Sequence, residues 1–299
     1  MDLISFRDLD KEQVEKIFAE AKEMDEQLAS GKVEKMDGIL ATMFFEPSTR
    51  TKLSFQAAGE RLGLQVIDFL GERSSLKKGE SFVDTIKTVD GYADMIAIRH
   101  PAEGSARLAA EVAEAPVLNG GDGANQHPTQ TLLDLYTIKK LRGKIEGQKV
   151  QLVGDLKHAR TMHSLLYGLA MFGAEITMVA PKGLEAGKEY LDDIKKFKPK
   201  IKSADRIDLS DTDVLYVCRV QVERFADKYE AERVKMEFTI NPEYINKGKD
   251  DLVIMHPLPK IDEIPPEIDE MKQAKYFEQA KNGIPIRMAA MKMLMQGVM

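Results

Sequence analysis

The 299-residue chain has little cysteine, no long apolar run and no excess of positive charge. One cysteine, Cys218, excludes an internal disulfide and suits a reducing compartment. It ends the apolar run Val214-Leu215-Tyr216-Val217, so a small buried residue is expected there, not a nucleophile. The apolar runs are well short of a membrane span. The first residues, Met1 to Asp8, lack a signal-peptide pattern. A soluble, cytoplasmic protein without a membrane partner is therefore expected. The net charge of -6 argues against a nucleic-acid partner. No Cys/His cluster has zinc spacing, so neither a metal nor a cofactor is expected. No paired-carboxylate signature and no Ser-His-Asp arrangement is legible. The turn Gly120 to Gln126 is neither G-x-G-x-x-G nor a P-loop. Any anion must be held by a local cationic pocket working against the overall field.

What is present is an organising junction. The apolar segment Gly38 to Phe45 has the length of a buried strand, and Lys52 to Leu62, stopped by Gly63, has a helical pattern. Between them lies Glu46-Pro47-Ser48-Thr49-Arg50-Thr51. The first N–H groups of a helix lack internal partners, and the helix dipole makes them attractive to phosphate. The hydroxyls of Ser48, Thr49 and Thr51 add donors, and Arg50 adds a permanent charge. An ordinary N-cap is the competing explanation for an isolated S-T-R-T.

The chain of 299 residues suggests two domains. Asp10 to Gln13 has the form of a capping box opening an amphipathic helix that ends at Gly31. Strands are expected at Gln65–Leu70, Met95–Ile98 and Pro116–Asn119, with helices from Ser81 to about Tyr92, from Ser105 to Ala115 and from Thr129 to Leu141. The segment Arg142 to Gly147 reads as a hinge. Further strands are expected at Lys149–Val153, Ile176–Ala180, Val214–Val217 and Leu252–Met255, with helices from Arg160 to Phe172, around Tyr190 to Lys196, and from Tyr276 onward. The alternation predicts an α/β protein of two doubly wound domains, each a mostly parallel sheet flanked by helices, with the site in the cleft their strand ends share. The first would span residues 1–142, completed by a C-terminal helix over 282–299, and the second 143–281. Basic and polar groups recur just after strands: Arg50, Arg99, His127 with Gln130, Arg160, Arg219, and His256 to Pro259. With Lys78 from a charge-rich loop, they suggest two anionic small molecules brought together by positioning and electrostatics.

The set Phe44-Phe45-Glu46-Pro47-Ser48-Thr49-Arg50-Thr51, His127-Pro128-Thr129-Gln130, Arg219-Val220-Gln221 and His256-Pro257-Leu258-Pro259 resembles the aspartate and ornithine carbamoyltransferase family. Lys78-Gly79-Glu80-Ser81, Arg99-His100-Pro101 and Val153-Gly154-Asp155-Leu156-Lys157 match as well, in the family's order and over nearly the whole chain. Arg219-Val220-Gln221 and the absence of a His-Cys-Leu-Pro motif point to the aspartate branch. The resemblance implies carbamoyl transfer from carbamoyl phosphate to L-aspartate, a step of pyrimidine biosynthesis. Ser48, Thr49, Arg50 and Thr51 would hold the phosphate. Thr51, Arg99 and His127 would meet the carbonyl oxygen and are the catalytic candidates. Gln130, Pro257 and Leu258 would hold the carbamoyl NH2. Arg160, Arg219 and Gln221, with Lys78 and Leu258, would bind aspartate. The resemblance further implies a homotrimer in which Ser74 (or Ser75) and Lys78 complete a neighbour's site, and leaves room for a regulatory chain. Glu46 with Arg160 and Arg224 would latch the domains. Alternatives are a carbamoyltransferase for ornithine or a related amine, and a non-catalytic anion-binding protein.

Overall fold

A computed structural model describes residues 1–71, 78–220 and 228–299, and the elements below are those of these residues. Ser74, Ser75, Gln221 and Arg224 lie outside them. The chain divides into two units, residues 1–133 with 282–299, and residues 134–281.

In the first unit, α1 (Lys11–Ser30) opens on a complete capping box between Asp10 and Gln13 and ends at Gly31 in the left-handed region. Val14, Ile17, Phe18, Ala21 and Met24 form its buried face. There follow β1 (Ile39–Phe44), α2 (Thr49–Leu62), β2 (Gln65–Leu70), α3 (Phe82–Asp90), β3 (Met95–His100), α4 (Ser105–Val112), β4 (Val117–Asp122) and the start of α5 (Pro128–Arg142). The four strands are parallel in the order β2-β1-β3-β4. Consecutive strands β1 and β2 pair on one side, and β3 pairs with β1 on the other. The winding therefore reverses between β1 and β3, where an open α/β sheet leaves a crevice at the strand ends. Helix α2 packs on β1 and β2, and α4 on β3 and β4. Ala41, Met43, Ile96, Ile98 and Val117 fill the core.

The second unit carries β5 (Lys149–Val153), α6 (Arg160–Met171), β6 (Glu175–Val179), α7 (Lys188–Ile194), β7 (Lys200–Ser203), β8 (Val214–Val217), α8 (Lys228–Phe238), α9 (Pro242–Asn246), β9 (Val253–Met255) and the start of α10 (Tyr276–Met295). Its sheet is parallel throughout in the order β7-β6-β5-β8-β9, so the winding reverses between β5 and β8. Val153, Val179, Leu215, Val217 and Ile254 form a core with Phe238 of α8 and Ile245 of α9.

Several boundaries differ from those read in the sequence. Helix α2 begins at Thr49, so Arg50 and Thr51 sit in its first turn and not in a preceding loop. Strand β3 continues through Arg99 and His100, and β4 through Asp122, into the glycine-rich segment. Strand β7 and helices α8 and α9 were not foreseen.

Candidate active site

At the end of β1, Ser48 stands at the N-cap of α2, yet its hydroxyl makes no cap hydrogen bond. The first turn, Thr49-Arg50-Thr51, contains no acidic side chain. The ordinary capping explanation is therefore not met, and the first N–H groups of α2 and the Ser48 hydroxyl, without a hydrogen bond among the described residues, remain available to an anion. Thr49 and Arg50 are exposed, while Thr51 is buried with its Oγ1 3.4 Å from His127 Nε2.

The neighbouring strand supplies Arg99, in register with Phe44 of β1. Its Nη1 donates to the Gly120 carbonyl at 3.0 Å, and its Nε lies 2.7 Å from Glu46 Oε1. Burial pulls this guanidinium below its ordinary value; Glu46 opposes the shift and the nearby charge of Arg50 adds to it. Arg50, though exposed overall, is also lowered by the partial desolvation of its guanidinium. Two guanidinium groups thus converge with one carboxylate, Glu46, beside them among the described residues, an arrangement that a dianion would stabilise. His100 belongs to packing instead. It sits among Phe45 and Phe82, ring centres 4.9 and 5.2 Å away, and its Nδ1 accepts from the Ala102 N–H.

Strand β4, on the other side of β3, leads to His127. The intervening turn is built on buried Asp122, whose carboxylate accepts from the Gly104 and Gln126 N–H groups and from Asn119 and Asn125 side chains, at 2.9 to 3.0 Å. Gly123 has φ +56°, and a Cβ there would lie 2.7 Å from the Pro101 carbonyl. These glycines serve close packing of the turn. Pro128 opens α5, and the His127 carbonyl accepts the Gln130 N–H at 2.9 Å. The strand order β1-β3-β4 therefore gathers Ser48 to Thr51, Arg99, His127 and Gln130 at three adjacent strand ends. Lys78, in a separate loop before α3, is exposed and makes no ion pair among the described residues.

In the second unit, β5 is followed by Gly154, φ +124°. A Cβ there would lie 2.0 Å from the Cys218 carbonyl, so only glycine lets the ends of β5 and β8 approach this closely. Fully buried Asp155 then shapes the turn, accepting from the Lys157 and His158 N–H groups and facing His158 Nδ1 at 3.1 Å. His163 Nε2 holds the Leu156 carbonyl at 2.9 Å, and its ring stacks on Tyr190 at 3.6 Å. This rigid turn delivers Arg160 to the start of α6. Arg219 follows β8. Cys218, beside it, is buried, and that burial pushes its thiol up to about 12, so it stays protonated.

Past β9, buried His256 accepts the Leu258 N–H on Nδ1 at 2.8 Å and meets Glu263 through Nε2 at 2.9 Å, which places its proton on Nε2. The His256 N–H donates to Gln279, whose amide donates to Asp134, which also accepts from the Tyr216 hydroxyl. This network holds Leu258 at φ +55°, a conformation uncommon outside glycine and one found at functional sites. The order β5-β8-β9 brings Arg160, Arg219, Pro257 and Leu258 to adjacent strand ends. The sequence pattern did not reveal Asn119, Asp122 or the Glu46–Arg99 pair, since each acts through contacts distant along the chain or through backbone N–H groups. Among the described residues no group of three or more His, Cys, Asp or Glu side chains could hold a metal ion, and no helix is long and apolar enough to cross a membrane.

Two family models match the chain: the carbamoyl-phosphate-binding domain of aspartate/ornithine carbamoyltransferases over residues 1–140, and their Asp/Orn-binding domain over residues 146–294. The chain belongs to the aspartate/ornithine carbamoyltransferase family. Within that family it is 48% identical over 301 residues to the aspartate carbamoyltransferase catalytic subunit of Methanopyrus kandleri, covering 99% of this chain and 97% of the relative. The corresponding subunit of Methanocaldococcus jannaschii is 50% identical over 302 residues, covering 98% and 97%. A crystal form of the M. jannaschii catalytic subunit superposes with a TM-score of 0.94 at 48% identity, over 99% of this chain and 98% of that one. The aspartate transcarbamoylase of Trypanosoma cruzi in complex with N-(phosphonacetyl)-L-aspartic acid gives a TM-score of 0.90 at 35% identity, over 97% and 94%.

Proposed function

We propose that this chain transfers the carbamoyl group of carbamoyl phosphate to the amine of L-aspartate, giving N-carbamoyl-L-aspartate and phosphate. The observation that carries the reading is the gathering of anion donors at the strand ends beside each reversal of winding. Phosphate sits on the first turn of α2, held by Ser48, Thr49, Arg50 and Thr51. It displaces Glu46 as the partner of the crowded guanidinium groups. Thr51, Arg99 and His127 surround the carbonyl oxygen. As the aspartate amine attacks, a C–N bond forms and charge builds on that oxygen, which these donors stabilise more than the ground state. Collapse breaks the C–O bond to phosphate, and the departing phosphate takes the amine proton. Gln130 and the carbonyls of Pro257 and Leu258 orient the carbamoyl NH2. Arg160, Arg219 and Gln221 receive the two carboxylates of aspartate, the planar fork of arginine matching them.

Residues 1–142 with 282–299 are the carbamoyl-phosphate half and residues 143–281 the aspartate half. A homotrimer with shared sites fits two features of the chain. Ile67 and Leu70 on edge strand β2, with Leu53 on α2, expose apolar surface. Lys78 is exposed and without an ion pair among the described residues, and it completes a neighbour's site together with Ser74. The relatives are named as catalytic subunits, which supports a regulatory partner. The reaction serves pyrimidine biosynthesis in the cytoplasm. Initial rates with L-aspartate and with L-ornithine as acceptors test the reading. Turnover with aspartate alone is expected; turnover with ornithine, or with neither, would overturn it.

A further inference from the structure

We propose that Arg287, on the methionine-rich α10, is a positioning residue that sets the spacing between the two helix starts bearing Thr51 and His127. The inference rests on the site described above and concerns a side chain that the reaction itself leaves unassigned. Arg287 is 2% exposed. Its Nη1 donates to the Gly283 carbonyl at 3.1 Å, and its Nη2 donates to Thr129 Oγ1 at 3.2 Å. Its guanidinium carbon lies 4.8 Å from the centre of the Phe55 ring. Thr129 is in the first turn of α5, two residues past His127. Phe55 is on α2, one turn past Thr51. One planar group therefore touches both helices just below the side chains that stand 3.4 Å apart at the site.

The surroundings leave little freedom. Phe55 is braced edge-on by Phe44 at 6.5 Å, and a Cβ at Gly120 would lie 3.4 Å from its ring. A Cβ at Gly283 would fall 2.2 Å from Nη1, so glycine makes the space the guanidinium occupies. Burying a charge is costly, and the fully buried Met288 and Met291 on the same helix show what would fill the place more cheaply. Arginine alone combines a face that stacks on an aromatic ring with donors pointing in two fixed directions. Lysine keeps the charge but cannot hold both helices at once.

Arg287→Lys and Thr129→Val, singly and together, test the assignment. Each is assayed below its thermal midpoint for kcat and for the KM of both substrates. Misplacing Thr51 against His127 weakens transition-state contacts, so Arg287→Lys is expected to lower kcat by about tenfold or more while the KM for aspartate stays within about twofold. Thr129→Val should lower kcat less, and the double variant should be no worse than Arg287→Lys alone, since both remove one link. A folded Arg287→Lys chain with wild-type kcat would overturn the inference. So would a loss confined to the KM for aspartate, or a double variant showing the product of the single losses. If Arg287→Lys does not fold, unchanged kcat in Thr129→Val overturns it. A wild-type chain inactive with aspartate would instead remove the functional reading itself, and this assignment with it.

Discussion

Gly154 leaves no room for a methyl group against the Cys218 carbonyl, so Gly154→Ala must push β5 and β8 apart. A substitution that is both overpacked and strained in backbone is expected to destabilise by roughly 3 kcal/mol or more, measured by urea unfolding. His100 gives a pH prediction. Burial among aromatic rings lowers its pKa from the ordinary 6.5, with Glu46 opposing. The unfolded chain then binds the proton more tightly than the folded one, so stability rises with pH across this window. As pH falls below 6.5, stability is lost until the folded-state value is passed. Urea midpoints between about pH 7 and 5 should decline, and His100→Asn, which can still accept the Ala102 N–H, should flatten that decline. An equal slope in both chains would remove His100 as its source.

Among the elements, the strongly periodic ones were legible. The capping box of α1, the apolar β1 and β3, and Pro128 at the head of α5 all carry local signals. Helix α2 starts earlier than its apolar pattern suggests because Thr49, Arg50 and Thr51 are polar and add nothing to an apolar stripe. Strand β7 reads Lys-Ile-Lys-Ser because it is an edge strand, exposed along most of its length, and so lacks the apolar run of a buried parallel strand. In α8 and α9 few apolar positions interrupt a charged surface, so no stripe was recognised. The motif residues of the site were visible because each lies at or just after the end of an apolar strand. Their supports were not: Asp122 gathers donors from Gly104 to Gln126, and only the fold brings these together. Replacing Asp122 with alanine would leave several buried donors unpaired. A loss of about 2 to 4 kcal/mol in urea unfolding, with β4 and the start of α5 losing amide-exchange protection first, is expected.

At the scale of the whole molecule, the proposal of shared sites has its own test. Lys78→Ala and Arg50→Ala chains should each be nearly inactive alone. Mixed, dissociated and reassembled, they should regain activity, because some hybrid sites would draw intact Lys78 from one chain and intact Arg50 from the other. A reassembled mixture as inactive as its components would speak against sharing. The central claim, that donors on neighbouring strand ends hold carbamoyl phosphate and stabilise its carbonyl as aspartate attacks, is tested most directly by one comparison. The initial rate of N-carbamoyl-L-aspartate formation is measured for the wild-type chain and for Arg99→Ala, at saturating L-aspartate, with folding of both verified. The prediction is robust turnover by the wild type and a loss on the order of 10² to 10³ in the variant. A folded Arg99→Ala chain that turns over as fast as the wild type would contradict it.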